Sequence, residues 1–351
     1  MPDVEIEQFV RQRGFGEFLA DTVVTFPGRN TNMAGSTTSG HDVFAKRVTA
    51  ARRAGDGGAG APLEDLARTR PWRYLRWPVV LAVDPGRGIH LTRWLKDSRT
   101  VAEAVTEQGL HRQPAHTLGA ALGELHSAEF DRARVGRRPL PMPSVRVFSA
   151  LSLTQYLESS GGLNEFWRTL QNDADLKRAV VELKHAEDEA AAVPIHADLR
   201  LDQILVTDEG LTVTDWEEFR YGDAARDIGT VLGEFLHRCV VEVAADDIAV
   251  DGAAGNGTDD EIVARGVRGL ERALPALEAF TQGYRSVRSG RDRALAERAV
   301  GFAGWHLLDR VMAAAAYSAE LSPVHRAAVG VGRTALARAG HFIGVLGLEA
   351  L

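Results

Sequence analysis

The chain has 351 residues, 45% of them hydrophobic, and a formal net charge of -7. That length and apolar content suffice for a buried core and for two lobes or domains, which excludes disorder as the main state, while the acidic balance disfavours a sequence-independent hold on nucleic acid. A single cysteine, Cys239, excludes an internal disulfide framework and a cysteine-rich zinc site.

No run of about 18 apolar residues, the length a membrane helix needs, occurs in the chain, and "MPDVEIEQFV" is acidic where a secretory signal would be basic. The expectation is a cytoplasmic protein with neither a membrane nor a nucleic acid as partner. After a short amphipathic N-terminal helix, "DTVVTF" (21 to 26), "MAGSTT" (33 to 38) and "DVFAKRV" (42 to 48) read as strands joined by the tight turns "PGRN" and "SGH". A glycine-rich loop over 51 to 62 and a helix over 62 to 75 precede a second hairpin, "VVLAVD" and "GIHLTRWL", about the Asp-Pro-Gly turn at 84 to 86. From Thr100 onward apolar residues recur every three or four positions, which predicts helices. One β interruption, "QILVTDEGLTVTDW" (203 to 216), divides them. Later helices are expected at about 226 to 245, 260 to 287, 290 to 319 and 323 to 348, with a loop over 250 to 260. The fold class is thus α+β, with a small antiparallel β N-lobe over 1 to 95 and a large, mainly helical C-lobe over 96 to 351.

The strongest chemical signal is "IHADLRLDQILVTDEGLTVTDWE", residues 195 to 217. His196, Asp198, Arg200 and Gln203 precede the first strand of a hairpin and Asp215 leaves the second, so Asp198, Gln203 and Asp215 can converge on one point. Phosphoryl transfer needs such a set: a carboxylate to orient the attacking hydroxyl and take its proton, and oxygen ligands for magnesium across the nucleotide phosphates. Asp198 is the candidate base, and Gln203 and Asp215 are the candidate metal ligands.

At these residues the chain resembles the aminoglycoside phosphotransferase and choline kinase group, relatives of protein kinases whose catalytic loop reads His-x-Asp-x-x-x-x-Asn. "DWE" is similar to the group's second motif, and "YGDAARDIG" (221 to 229) to its Gly-Asp-Pro-x-x-Asp segment. The resemblance implies a two-lobe protein-kinase-like fold, ATP and Mg2+ as cofactors, a scaffolding role for His196 and a bracing role for Asp227. It departs at Gln203, where the group has asparagine; glutamine is one methylene longer and magnesium tolerates little geometric error. A pseudokinase that kept the fold and binds a peptide or partner enzyme is the non-catalytic alternative.

The chain has only four lysines. In "VFAKRV", Lys46 resembles the kinase lysine that holds the α- and β-phosphates, and apolar Phe44 and Val48 on its strand face favour an inward side chain over a solvent-facing one. Its acidic partner is expected in the helix at 62 to 75, with Glu64 preferred and Asp65 behind it. The turn and strand "PGRNTNMAGST", with Asn30 and Ser36, would cover the phosphates, and the backbone of Arg93 to Leu95 occupies the hinge position, where adenine would bond. Asp202, Glu217 and Glu218 read as solvated, with Glu217 the reserve metal ligand. His306, Asp309 and Arg310 read as a solvated helix face or, alternatively, a substrate groove.

Arg200 lies two residues after the base, where protein kinases place a cation that contacts the transferring phosphate. A positive charge there suits an acceptor that brings no ammonium group of its own, such as a Ser or Thr hydroxyl. "PGRNTNMAGSTTSGHDVFAKRV" is also similar to the kinase components of class V lanthipeptide and thioamitide synthetases. That resemblance implies phosphorylation of a ribosomal precursor peptide, with a separate lyase partner eliminating the phosphate. The alternative of the same chemistry is a small-molecule kinase for an aminoglycoside, macrolide, choline or sugar.

Overall fold

A computed structural model describes residues 3–27, 30–48, 71–108, 111–131, 145–251, 259–288, 290 and 292–351. The expected loop over 51 to 62 and the first part of the helix over 62 to 75, with Glu64 and Asp65, lie outside the described residues. Pro71 to Leu75 is not helical.

Helix α1 (Val4–Gln12) starts where the Asp3 carboxylate accepts the N–H groups of Glu5 and Ile6. Its Ile6, Phe9 and Val10 are buried on one face of a five-stranded antiparallel sheet, order β1-β2-β3-β5-β4, made of β1 (Val24–Phe26), β2 (Thr31–Ser36), β3 (Asp42–Arg47), β4 (Val80–Asp84) and β5 (Ile89–Arg93). Alternation then sorts the side chains. Met33, Val43, Ala45, Ile89 and Leu91 pack with α1 in a separate small core. The register Asn32↔Lys46↔His90 and Ala34↔Phe44↔Thr92 puts those residues, with Val24 and Phe26, on the opposite face.

The helical part begins with β6 (Arg99–Thr100), α2 (Val101–Gln108) and α3 (Arg112–His126), and continues through α4 (Leu153–Glu158), α5 (Gly161–Gln171) and α6 (Ala174–Glu189). Strands β7 (Ala192–Ile195), β8 (Ile204–Thr207), β9 (Gly210–Val213) and β10 (Arg220–Asp223) follow; β8 and β9 are the predicted hairpin, with β6 along its edge, and β7 pairs with β10. The long helices are α7 (Ala225–Asp251), α8 (Asp259–Val287), α9 (Leu295–Ala315) and α10 (Pro323–Ala337), with a short α11 (Ala339–Val345). The expected single helix over 323 to 348 is divided at Arg338, whose φ of -138° leaves the helical region. No helix among the described residues is long and apolar enough to cross a membrane.

Two packing features position the site. A Cβ on Gly119 of α3 would meet the Phe280 carbonyl oxygen at 1.9 Å, and one on Gly283 of α8 would meet the His116 carbonyl oxygen at 2.0 Å, so these glycines let α3 and α8 cross backbone to backbone. The segment ahead of β4 is gripped by the larger core: Leu75 is buried in it, and the buried Glu124 carboxylate of α3 accepts the N–H groups of Arg73, Tyr74 and Leu75 at 2.7–2.9 Å.

Candidate active site

The loop from His196 to Gln203 leaves β7 with Ala197 in the left-handed region, φ 71°. That costs about 1–2 kcal/mol for a residue with a Cβ, and Asp227 in the first turn of α7 holds the turn in place. Its fully buried carboxylate accepts the N–H groups of His196 and Ala197, each at 2.8 Å. Behind it, His126 Nε2 lies 3.1 Å from Asp227, His126 Nδ1 lies 3.1 Å from the Tyr284 hydroxyl, and Arg288 donates to that hydroxyl at 2.6 Å. Burial holds the His126 imidazole below its usual range. Neutral His126 therefore donates from Nε2 to Asp227 and accepts from Tyr284 at Nδ1. His196 is fully buried, donates from Nε2 to the Thr214 carbonyl at 2.8 Å and packs edge-on against Trp216, as a scaffold does.

On this loop Asp198 is half-exposed. The Gln203 amide nitrogen donates to Asp198 at 3.3 Å and to Asp215 at 3.2 Å, while its oxygen accepts the Arg200 N–H at 3.1 Å. Asp215, at the exit of β9, is itself left-handed with φ 64°. Lys46 reaches across from β3 to pair with Asp215 and Glu217, and Asn30 donates to Glu217 at 3.2 Å. Burial opposes charge on Asp215, but the charge and hydrogen bond of Lys46 outweigh it and hold the carboxyl below its usual range. The same pairing, against the same burial, holds the Lys46 ammonium above its own. Both stay ionised near neutrality.

A charged lysine from a β sheet thus meets two acidic residues of a hairpin exit, one hydrogen-bonded step from a half-exposed aspartate on the preceding loop. Independent comparisons agree with that pattern. The phosphotransferase enzyme family (APH) matches residues 63–262. The chain belongs to the phosphotransferase enzyme family. It is accordingly an ATP-dependent kinase, as the motif order predicts. A methylthioribose kinase from Pectobacterium carotovorum is 25% identical over 303 residues, 76% of this chain and 73% of the relative. Among solved structures, an amicoumacin kinase complexed with AMP-PNP and Ca2+ superposes with a TM-score of 0.57 at 15% identity, covering 95% of this chain and 93% of that one. A choline kinase from Cryptosporidium parvum superposes at 0.51 and 13% identity, covering 99% of each chain. These likenesses show a shared fold, with the antiparallel sheet as N-lobe and the helices as C-lobe.

Within this phosphotransferase fold, Asp198, Arg200, Gln203, Asp215, Lys46 and Asn30 come together. Ser36 does not. It sits at the far end of β2 from Asn30, and its hydroxyl donates to Asp42 at 2.5 Å. At the hinge, the Arg93 N–H donates to the Val79 carbonyl and the Leu95 carbonyl accepts from Ser98, so the Arg93 N–H is not free for a base. The reading of Glu217 and Glu218 as solvated is corrected: Glu217 faces Lys46 and Glu218 pairs with Arg220. His306 is likewise buried against Glu234 at 2.7 Å, which removes it from a solvated face.

Sequence reading missed the apolar wall of the cleft. Phe26 and Phe44 meet at a tilt of 47°, with centroids 5.7 Å apart, on the Lys46 face. Alternation from Lys46 places Phe44 there, but the inclusion of Phe26 needed the β1–β2 register.

Proposed function

We propose that this kinase transfers the γ-phosphoryl group of magnesium-bound ATP to a serine or threonine hydroxyl of a ribosomally made precursor peptide. The convergence of Asp198, Asp215, Glu217 and Lys46 carries the phosphoryl-transfer reading. Among the described residues no group of three or more His, Cys, Asp or Glu forms a metal cage. Magnesium on a nucleotide asks for less: one or two carboxylates, with phosphate oxygens and water completing the shell. Asp215 and Glu217, already sharing one ammonium, fit it. Bound magnesium would neutralise charge across the phosphates.

In this reading Lys46 holds the phosphates and the Phe26–Phe44 face packs on adenine. Asn30 closes over the phosphate side; its amide oxygen and that of Asn32 are buried with no hydrogen-bond partner among the described residues. Asp198 takes the proton of the acceptor hydroxyl as that oxygen bonds to the γ-phosphorus. The bond to the bridging oxygen breaks, and ADP leaves with the electron pair. Arg200 has its guanidinium 3.7 Å from Asp198 and bonded to Asp202 at 3.1 Å, so it stands beside the place where charge develops.

The same guanidinium supports a peptide acceptor, since a fixed cation beside the base repels a polyamine and complements an acceptor without ammonium groups. Exposed apolar side chains, Leu153, Tyr156 and Leu157 on the short helix α4 and Tyr317 after α9, are available to a large partner. The test is incubation with Mg-ATP and the precursor peptide. A mass gain of one phosphate is expected, converted to loss of water when a partner lyase is added. A hydroxyl of a neutral sugar is the second reading, favoured by the methylthioribose kinase likeness. Phosphorylation of such a sugar with none on the peptide overturns the peptide assignment, and no phosphoryl transfer to any acceptor overturns the catalytic reading in favour of a binding subunit.

A further inference from the structure

Gln203 stands where the metal-binding asparagine of related kinases would, yet its hydrogen bonds point elsewhere. The residue is 4% exposed, so its polar atoms need partners. Its single oxygen is spent on the Arg200 N–H at 3.1 Å. Both hydrogens of its nitrogen are spent on carboxylates, Asp198 at 3.3 Å and Asp215 at 3.2 Å. Turning the amide over to present oxygen to a cation would face its NH2 to the Arg200 N–H and its oxygen to two carboxylates, losing all three bonds. The backbone of the same residue is equally tied: its carbonyl accepts from the Thr214 N–H at 2.8 Å and hydroxyl at 2.9 Å, and its N–H donates to the Arg200 carbonyl at 3.0 Å.

The extra methylene explains the choice of residue. It lets one amide reach back to the loop backbone while still spanning the two carboxylates. Asp198 and Asp215 both accept from the same amide nitrogen, and their like charges repel. A neutral double donor between them relieves that repulsion and fixes their separation. Asp215 and Glu217, by contrast, both turn oxygens toward a cation, Lys46.

We infer that Gln203 is a positioning residue rather than a magnesium ligand: it spaces the proton-accepting Asp198 from the metal-holding Asp215 and ties both to the loop at Arg200. This rests on the roles proposed above for Asp198 and Asp215. The decisive experiment titrates Mg2+ against AMP-PNP binding in wild type, Gln203→Met, Gln203→Asn and Asp215→Ala, and measures phosphoryl transfer from ATP in the same proteins. Methionine keeps the length and removes the hydrogen bonds; asparagine keeps the amide and loses the reach.

For both Gln203 variants the Mg2+ concentration that half-saturates AMP-PNP binding should stay within about twofold of wild type, while turnover falls about 10- to 100-fold, the scale of a small misplacement of reacting groups. Asp215→Ala should raise the Mg2+ requirement at least tenfold. A Gln203 variant whose Mg2+ requirement rises alongside that of Asp215→Ala would overturn the inference, as would Gln203→Asn with wild-type turnover. If Gln203→Met does not fold, Gln203→Asn alone decides by the same two readings. An unchanged Mg2+ requirement in Asp215→Ala would instead count against the underlying metal assignment.

Discussion

Asp227 is the residue whose removal should tell most about how the catalytic loop is held. Its carboxylate, wholly buried, meets three donors: the N–H groups of His196 and Ala197 and Nε2 of His126. Asp227→Ala leaves all three unpaired in the interior, each costing about 1–3 kcal/mol. The expected loss is therefore at least ~3 kcal/mol, a large share of the 5–15 kcal/mol that holds a typical domain. It also frees Ala197 from its left-handed turn. Asp227→Asn keeps the shape but turns an NH2 toward a donor, so a loss of about 1–3 kcal/mol is expected.

Acid should act in the same direction. Burial holds the His126 pKa low, so the folded state excludes a proton that the unfolded chain accepts below about pH 6.5. That contribution is full above the ordinary histidine value and drains away as pH falls beneath it. Asp227 is also depressed, because His126 outweighs the burial that would raise it, and its contribution is lost later, as pH falls through the carboxylate range. Urea unfolding at a series of pH values measures both effects. Stability that rises on acidification from pH 7 to 5, or an Asp227→Ala protein within about 1 kcal/mol of wild type, would refute the account.

Asp198→Asn should lower phosphoryl transfer about 100- to 10,000-fold, with nucleotide affinity within about twofold of wild type, when rates and calorimetric binding are compared. Lys46→Met removes a charge-assisted contact worth roughly 1.5–3 kcal/mol, so ATP affinity should fall about 10- to 100-fold by equilibrium binding while the circular dichroism spectrum is retained. Gly119→Ala forces a methyl group into the Phe280 carbonyl and should cost about 1–3 kcal/mol in urea unfolding.

The chemistry of the hairpin was legible because its order is local: a loop into one strand and an acid out of its neighbour bring Asp198, Gln203 and Asp215 together whatever surrounds them. Lys46 was legible from alternation along a single strand. Its contacts with Asp215 and Glu217 were not, since they join residues 169 and 171 positions apart and depend on how sheet and helices dock. Ser36 was grouped with Asn30 because the two share one short segment, but it ends the six-residue strand that Asn30 precedes, and its hydroxyl is bonded to Asp42. The brace from Arg288 through Tyr284 and His126 left one faint trace, the glycines of "HTLGAALGELH", which mark a close helix crossing but not its partner.

The grip of Glu124 on residues 73 to 75 also determines how the sheet can move. Arg76 takes the Val213 N–H through its carbonyl and Val79 takes that of Arg93, so the chain entering β4 is bonded to the hairpin on one side and to β5 on the other. The chain leaves the sheet again just beyond, after Arg93. Both tethers lie along the β4–β5 edge, and a stiff plate fastened along one edge swings like a door. Each strand further from that edge adds about 4.8 Å of lever arm, so His90 on β5 stays nearly still, Lys46 on β3 travels a little, and Asn30, at the start of β2 one strand further out, travels more. Opening would break the contact of Asn30 with Glu217 first and that of Lys46 with Asp215 afterwards, a sequence of release written into the strand order.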